Sequence, residues 1–269
     1  MLTPRSPRVV AARRLTTRAG RSATGQFLAE GPQAVREAVA AGAVIELLCT
    51  PAAADRHRDL VASWPGRLAL LSERAAAGLS ETVNPQGIVA VCTAADLPLA
   101  AALVAGRRLV VLLAEINDPG NAGTVLRTAD AAGAQAVVFS TGSVDPYNGK
   151  CVRASAGSLF HVDVVRDAVP ADAIDAARAA GLRVLGATGD GDSDLDSEVD
   201  SGRLAQPTMW VFGNEARGLP PELAVSCDAR VRVPIHGRAE SLNLAAAAAV
   251  SLYASARAQR TARAPQRRP

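Results

Sequence analysis

Apolar and polar positions along this chain alternate in two registers. Continuous apolar runs such as Val44–Cys49, Leu109–Leu113 and Thr208–Phe212 have the form of strands covered on both faces. Between them, apolar residues recurring every three or four positions have the form of amphipathic helices. The first 95 residues read as a small α/β module. It holds a helix over 27–41 with Pro32 near its first turn and Gly42 as its stop, then a strand at 44–49 and a polar helix at 53–63. A strand at 68–71, a short helix from Ser72 and a strand at 87–92 complete it. The segment 96–107, alanine-rich and interrupted by Pro98 and Gly106, reads as a linker. Beyond it the spacing predicts strands at 109–113, 136–139, 183–187, 208–212 and 231–233, with helices at 120–132, 171–180 and 242–257. Strands separated by helices over this length predict a mostly parallel sheet with helices on both faces, and ligands at the carboxyl ends of its strands.

Composition narrows the class. Of 269 residues 49% are hydrophobic and 20% charged, and no apolar run approaches the ~18 residues of a membrane span. Disordered, collagenous and integral membrane classes are excluded, and no membrane partner is expected. Cys49, Cys92, Cys151 and Cys227 lie far apart with no C-x-x-C pair, which predicts buried thiols in a reducing, cytoplasmic compartment. His57, His161 and His236 show no ligand spacing, so no metal is expected. The net charge of +3 is unevenly spread. Six arginines (Arg5, Arg8, Arg13, Arg14, Arg18, Arg21) and no acid fall in 1–21, and five more, again without an acid, in 255–269. With those eleven removed, 18 basic residues face 26 acidic ones, a balance of −8 for the body. Basic ends on an acidic body fit a polyanion partner, because arginines on a flexible arm can release counterions from several phosphates. The plainer reading is solubility or coding bias, since Lys150 is the only lysine.

Candidate chemistry gathers in three loops that follow apolar runs. In the first, residues 115–127, Asn117 or Asp118 can cap the helix behind Pro119. Asn121 and Arg127 lie about 120° apart on that helix and fit either a solvated face or a phosphate grip. In the second, residues 211–219, Glu215 stands between Gly213 and Gly218, placed to meet a ligand or a neighbouring loop, to cap a helix, or to pair with Arg217. In the third, residues 233–243, Ser241 is the expected cap of the closing helix. Asn243 falls inside its first turn, against its propensity, which points to a specific hydrogen bond. The glycines after 186 lack G-x-G-x-x-G spacing and run into Asp190, Asp192, Asp194 and Asp196, so that stretch reads as a solvated loop rather than a phosphate cradle or calcium loop.

Taken in order, Asn-Asp-Pro-Gly-Asn-Ala-Gly-Thr-Val-Leu-Arg (117–127), Phe-Gly-Asn-Glu-Ala-Arg-Gly-Leu (212–219) and Val-Pro-Ile-His-Gly with Glu-Ser-Leu-Asn-Leu (233–244) resemble the SpoU/TrmH-type family of the SPOUT class of RNA methyltransferases. Gly-Gln-Phe-Leu-Ala-Glu-Gly-Pro (25–32) and Asn-Pro-Gln-Gly-Ile-Val-Ala (84–90) are similar to the ribosomal-protein-like domain that precedes the catalytic domain in many members. The resemblance implies an α/β fold whose C-terminal, mostly parallel sheet is threaded into a deep trefoil knot, one of the exceptions to unknotted topology. It implies an RNA substrate-binding domain with a basic arm over 1–95, a methyltransferase domain over 108–258 and a basic tail over 259–269. It implies S-adenosylmethionine as cofactor, held near Gly213, Ile235, Leu244 and Thr188, and no metal. The catalytic pattern maps onto Asn121, Arg127, Glu215, Ser241 and Asn243. It further implies 2′-O-ribose methylation of RNA, ribosomal rather than transfer RNA, with Arg13, Arg14, Arg18 and Arg21 on the RNA. A non-catalytic RNA-binding relative would be the other class. A homodimer is implied as well, the small residues at 245–249 allowing close approach of a second copy.

Overall fold

The computed structural model describes residues 1–263, which form two compact units. The first comprises Met1–Ala95 together with Asp145–His161; the second comprises Asp96–Val144 and the chain from Val162 onward.

The first unit is built on a four-stranded sheet of β1 (Gln26–Glu30), β2 (Val44–Cys49), β3 (Arg67–Leu70) and β4 (Ile88–Thr93), in the order β1-β4-β2-β3. β4 runs antiparallel to both β1 and β2, and β2 is parallel to β3. The expected helix over 27–41 divides: Phe27, Leu28 and Ala29 are buried in β1, Gly31 at φ +91° turns the chain, and the helix runs over Pro32–Ala40. Phe27 belongs to the sheet because its ring packs against Tyr147, centroids 4.6 Å apart, and Phe160 at 6.0 Å. Both partners come from the distant segment 145–161, so local pattern could not show them.

The expected flexible arm is folded. Helices Pro7–Arg14 and Arg18–Thr24 bury Val9, Ala12 and Leu15 against β-sheet residues such as Leu28, Leu48 and Val91. Arg21 is buried too, its Nε donating to Asp145 at 2.6 Å and its Nη1 to the carbonyls of Leu15 and Thr16.

The second unit is a seven-stranded, all-parallel sheet of β5 (Leu109–Leu113), β6 (Ala136–Ser140), β7 (Asp163–Ala168), β8 (Arg183–Ala187), β9 (Ser193–Asp194), β10 (Thr208–Phe212) and β11 (Ala229–Arg232). Its order is β7-β6-β5-β10-β8-β11-β9. Every residue of β5, β6 and β10 is buried, as expected of strands with helices on both faces. Helices Pro119–Ala132 and Leu244–Arg263 belong to this unit. The latter is anchored by Ser255, which accepts the Trp210 indole N–H at 2.8 Å, and by Gln259, which donates to the carbonyls of Arg108 and Gln206. The expected basic tail over 259–269 is therefore helical to Arg263, and its residues 264–269 lie outside the described residues.

The aspartate-rich stretch after β8 is not merely solvated. It carries β9 and a helix over Leu195–Asp200, and Glu198 is 1% exposed beneath it. Arg183 and Arg203 bind that carboxylate at 2.5 and 2.8 Å, and Ser193 donates to it at 3.0 Å. Burial alone would raise the Glu198 pKa; these donors and the Arg183 charge reverse that and hold it down at about 2.

Candidate active site

The sheet order brings the expected residues together. Adjacent parallel strands β10, β8 and β11 end, respectively, just before Gly213, Thr188 and the 233–243 loop, so all three loops leave one edge of the sheet. The 115–118 turn follows β5, the other neighbour of β10. In a parallel sheet every one of these is a carboxyl end.

Asp118 caps the helix Pro119–Ala132, accepting from the N–H groups of Gly120 and Asn121. That frees Asn117 and orients the first turn. Glu215 reaches across from the second loop: its carboxylate accepts the backbone N–H of Asn117 at 3.2 Å, that of Asp118 at 3.1 Å and the Asn121 amide at 3.3 Å. Asn121 in turn accepts from the Asn243 amide at 3.2 Å. A chain of hydrogen bonds, Asn243 to Asn121 to Glu215, thus ties the third loop to the first and the first to the second. Partial burial pushes the Glu215 pKa up, but the backbone N–H donors and Asn121 outweigh it, so the carboxyl lies below its ordinary value.

Two sequence expectations need correction here. Ser241 does not cap the closing helix. Asn243 does, its carbonyl accepting from Ala247 and its side chain from the N–H of Ala245. An asparagine that looked out of place within a first turn is in fact at the position that favours it. Glu215 does not pair with Arg217, which binds Glu115 at 2.8 Å instead.

Arg127 is exposed and has no hydrogen-bond or ion-pair partner among the described residues. Ser241 is exposed in the third loop and likewise unbonded. On the expected cofactor side, Gly213 admits no side chain: a Cβ there would lie 2.3 Å from the carbonyl carbon of Gly218. Thr188 donates its N–H to Val231, while its hydroxyl oxygen is buried with no partner. Ile235 is 38% exposed and Leu244 half-buried. Arg13, Arg14 and Arg18 lie exposed on the first unit, whereas Arg21 is spent on Asp145 and is withdrawn from the expected RNA contacts.

Pattern reading missed Asn214 and Glu115. Asn214 is buried, donates to the Glu115 carbonyl at 2.8 Å and accepts from the N–H groups of Ala216 and Arg217, closing the second loop onto the first. Glu115 holds φ +54°, a conformation costing about 1 kcal/mol or more outside glycine. It is held there by Asn214 on its carbonyl and Ser140 on its N–H. The Gly-Asn-Glu string carried the only available signal for Asn214.

Residues 108–253 match the model of the SpoU rRNA Methylase family, and residues 6–90 that of the MRM3-like substrate binding domain. The chain belongs to the SpoU rRNA methylase family. A relative in this family, the 23S rRNA (guanosine(2553)-2′-O)-methyltransferase RlmP of Bacillus subtilis, is 36% identical over 90% of this chain and 92% of its own length. The 23S rRNA (uridine(2479)-2′-O)-methyltransferase of Streptomyces viridochromogenes is 39% identical over 55% of this chain and 52% of its own length. The crystal structure of the AdoMet-bound rRNA methyltransferase from Sinorhizobium meliloti superposes with a TM-score of 0.80 at 33% identity, covering 94% of this chain and 95% of that one. Among the described residues no group of three or more His, Cys, Asp or Glu could hold a metal ion, and no helix is long and apolar enough to cross a membrane.

Proposed function

We propose that this SpoU family member is an S-adenosylmethionine-dependent 2′-O-ribose methyltransferase acting on ribosomal RNA, in the cytoplasm. The observation that carries the reading is the Asn243–Asn121–Glu215 chain, which ties three strand-end loops together at the start of the helix that also carries the unpaired Arg127. The residues fit the cofactor: the orphaned Thr188 hydroxyl and the backbone beside Gly213 suit a ligand held largely by main chain. When bound, that cofactor supplies a methyl group already activated on a sulfonium. The residues then need to align the ribose 2′-oxygen with the methyl carbon and ease departure of the hydroxyl proton. Asn121, Ser241 and Asn243 offer neutral hydrogen bonds that orient the ribose. Arg127 holds the adjacent phosphate and stabilises negative charge growing on the 2′-oxygen. Glu215, held charged by three donors, is a weak base and an effective brace.

The deep trefoil knot is part of the same reading. A homodimer formed through the closing helix also belongs to it. Ala248 is fully buried within its own unit, so the face offered to a second copy carries the exposed Val250 and Tyr253. Tyr253→Asp should lower dimer content, and light scattering that finds the active wild type monomeric ends the dimer reading. Arg13, Arg14 and Arg18 are the exposed phosphate contacts in this account.

Purified protein with methyl-labelled cofactor should label deproteinised ribosomal RNA, and the label should persist in an alkali-resistant dinucleotide. Label recovered on a base would overturn the ribose assignment.

A further inference from the structure

We propose that the first unit holds a recognition cleft for a single unpaired RNA nucleotide, built where its two family-marking strings meet; this rests on the reading that the chain acts on RNA. The strings 25–32 and 84–90 are far apart in the chain, yet strand pairing lays them side by side: Glu30 of β1 is opposite Val89 of β4, and the N–H of Gly31 donates to the Ile88 carbonyl at 3.0 Å. Between them lies a cleft of about 330 Å³. That is at the small end of ligand sites, enough for one nucleotide and too small for a duplex.

The charges on its wall are already spent. The Glu30 carboxylate accepts the hydroxyls of Ser80 and Thr82 and the Arg153 guanidinium at 3.1 Å, and Arg153 also reaches Glu81. A phosphate would have to break this network, so the cleft is not an anion trap. Its rim is different. Asn84 and Gln86 are exposed, and neither side-chain amide has a hydrogen-bond partner among the described residues. Each such amide presents a donor beside an acceptor, the pattern that reads the edge of an unpaired base. The helix Pro32–Ala40 begins without a side-chain cap, which leaves the N–H groups of Gln33 and Ala34 at the cleft open to a further acceptor. Val83, in the turn between Thr82 and Asn84, is 95% exposed and offers an apolar surface for a base face.

The test uses the full chain and deproteinised ribosomal RNA, with ten-nucleotide oligomers of A, C, G or U as competitors. Asn84→Ala with Gln86→Ala should weaken RNA binding about tenfold without altering its salt dependence or the melting temperature, since no phosphate contact or core group is removed. The four oligomers should compete unequally against the wild type and equally against the double variant. A wild type that binds and methylates the RNA but ranks the oligomers equally overturns the cleft alone. So does a double variant with full affinity, which would leave the exposed amides to some other partner such as a protein. A wild type that binds no ribosomal RNA overturns the RNA reading and the cleft with it.

Discussion

Arg127 and Glu215, two residues of the expected catalytic pattern, differ in how they are held. Glu215 has three donors around its carboxylate; Arg127 has no partner among the described residues. Removing a braced group disturbs the brace, whereas removing an unpaired one leaves the resting site intact. Arg127→Ala should therefore reduce turnover by about 3 kcal/mol or more in the transition state, roughly a hundredfold, while cofactor affinity measured by calorimetry stays within a few-fold. Loss of cofactor binding would move Arg127 out of the RNA side of the site. At this scale the sequence was legible for residue identity and poorly legible for partnership. The loop-ordering use of Glu215 was among the readings open to it, and the capping by Asn243 is a local contact that Ser241, an equally good cap two residues earlier, obscured. The pairing of Arg217 with Glu115 instead spans 102 residues of chain. No local pattern encodes that pair.

Elements tell a similar story with one instructive exception. Strands buried on both faces announce themselves as unbroken apolar runs, so β5, β8 and β10 were read to the residue. β1 falls inside the expected helix because Pro32 and the periodic residues after it dominate the local signal. β7, with Asp163, Arg166 and Asp167 in its sequence, has no apolar run to find. The loop after β8 was read as solvated from its aspartates, whereas its one buried acid, Glu198, organises it. Glu198→Ala would leave two arginines without their counter-charge and should destabilise the protein by about 3 kcal/mol or more, read in denaturant melts. The sign of its pH dependence follows from the lowered pKa. The contribution is complete above the ordinary value of 4.5 and is lost as pH falls toward about 2. Acid titration of the wild type should show this loss in that window, and the variant should lack it. A wild type and variant that melt in parallel across the window would show that the Glu198 ion pairs do not stabilise the fold.

On the scale of the whole molecule, the division into units departs from a reading along the chain. Seventeen residues between β6 and β7, 145–161, fold into the first unit, where they supply Asp145 to Arg21, Tyr147 and Phe160 to Phe27, and Arg153 to Glu30. A fragment ending at Ala95 lacks all of these. It should unfold at lower denaturant than the same unit in the full chain, and a synthetic peptide of residues 145–161 added in trans should restore part of the difference. Equal midpoints with and without the peptide would show the segment to be dispensable.

The same insertion bears on how such a chain can be inherited. A domain encoded by one uninterrupted stretch can be exchanged as a cassette by a single recombination event at a linker. Here a crossover near residue 95 would transplant a first unit missing the partner of its buried Arg21, and would leave the second unit carrying a foreign unit's missing piece between two of its own strands. The two units are therefore bound to vary together, and a chimera that exchanges the first has to import residues 145–161 from the middle of the sequence as well as those at its front.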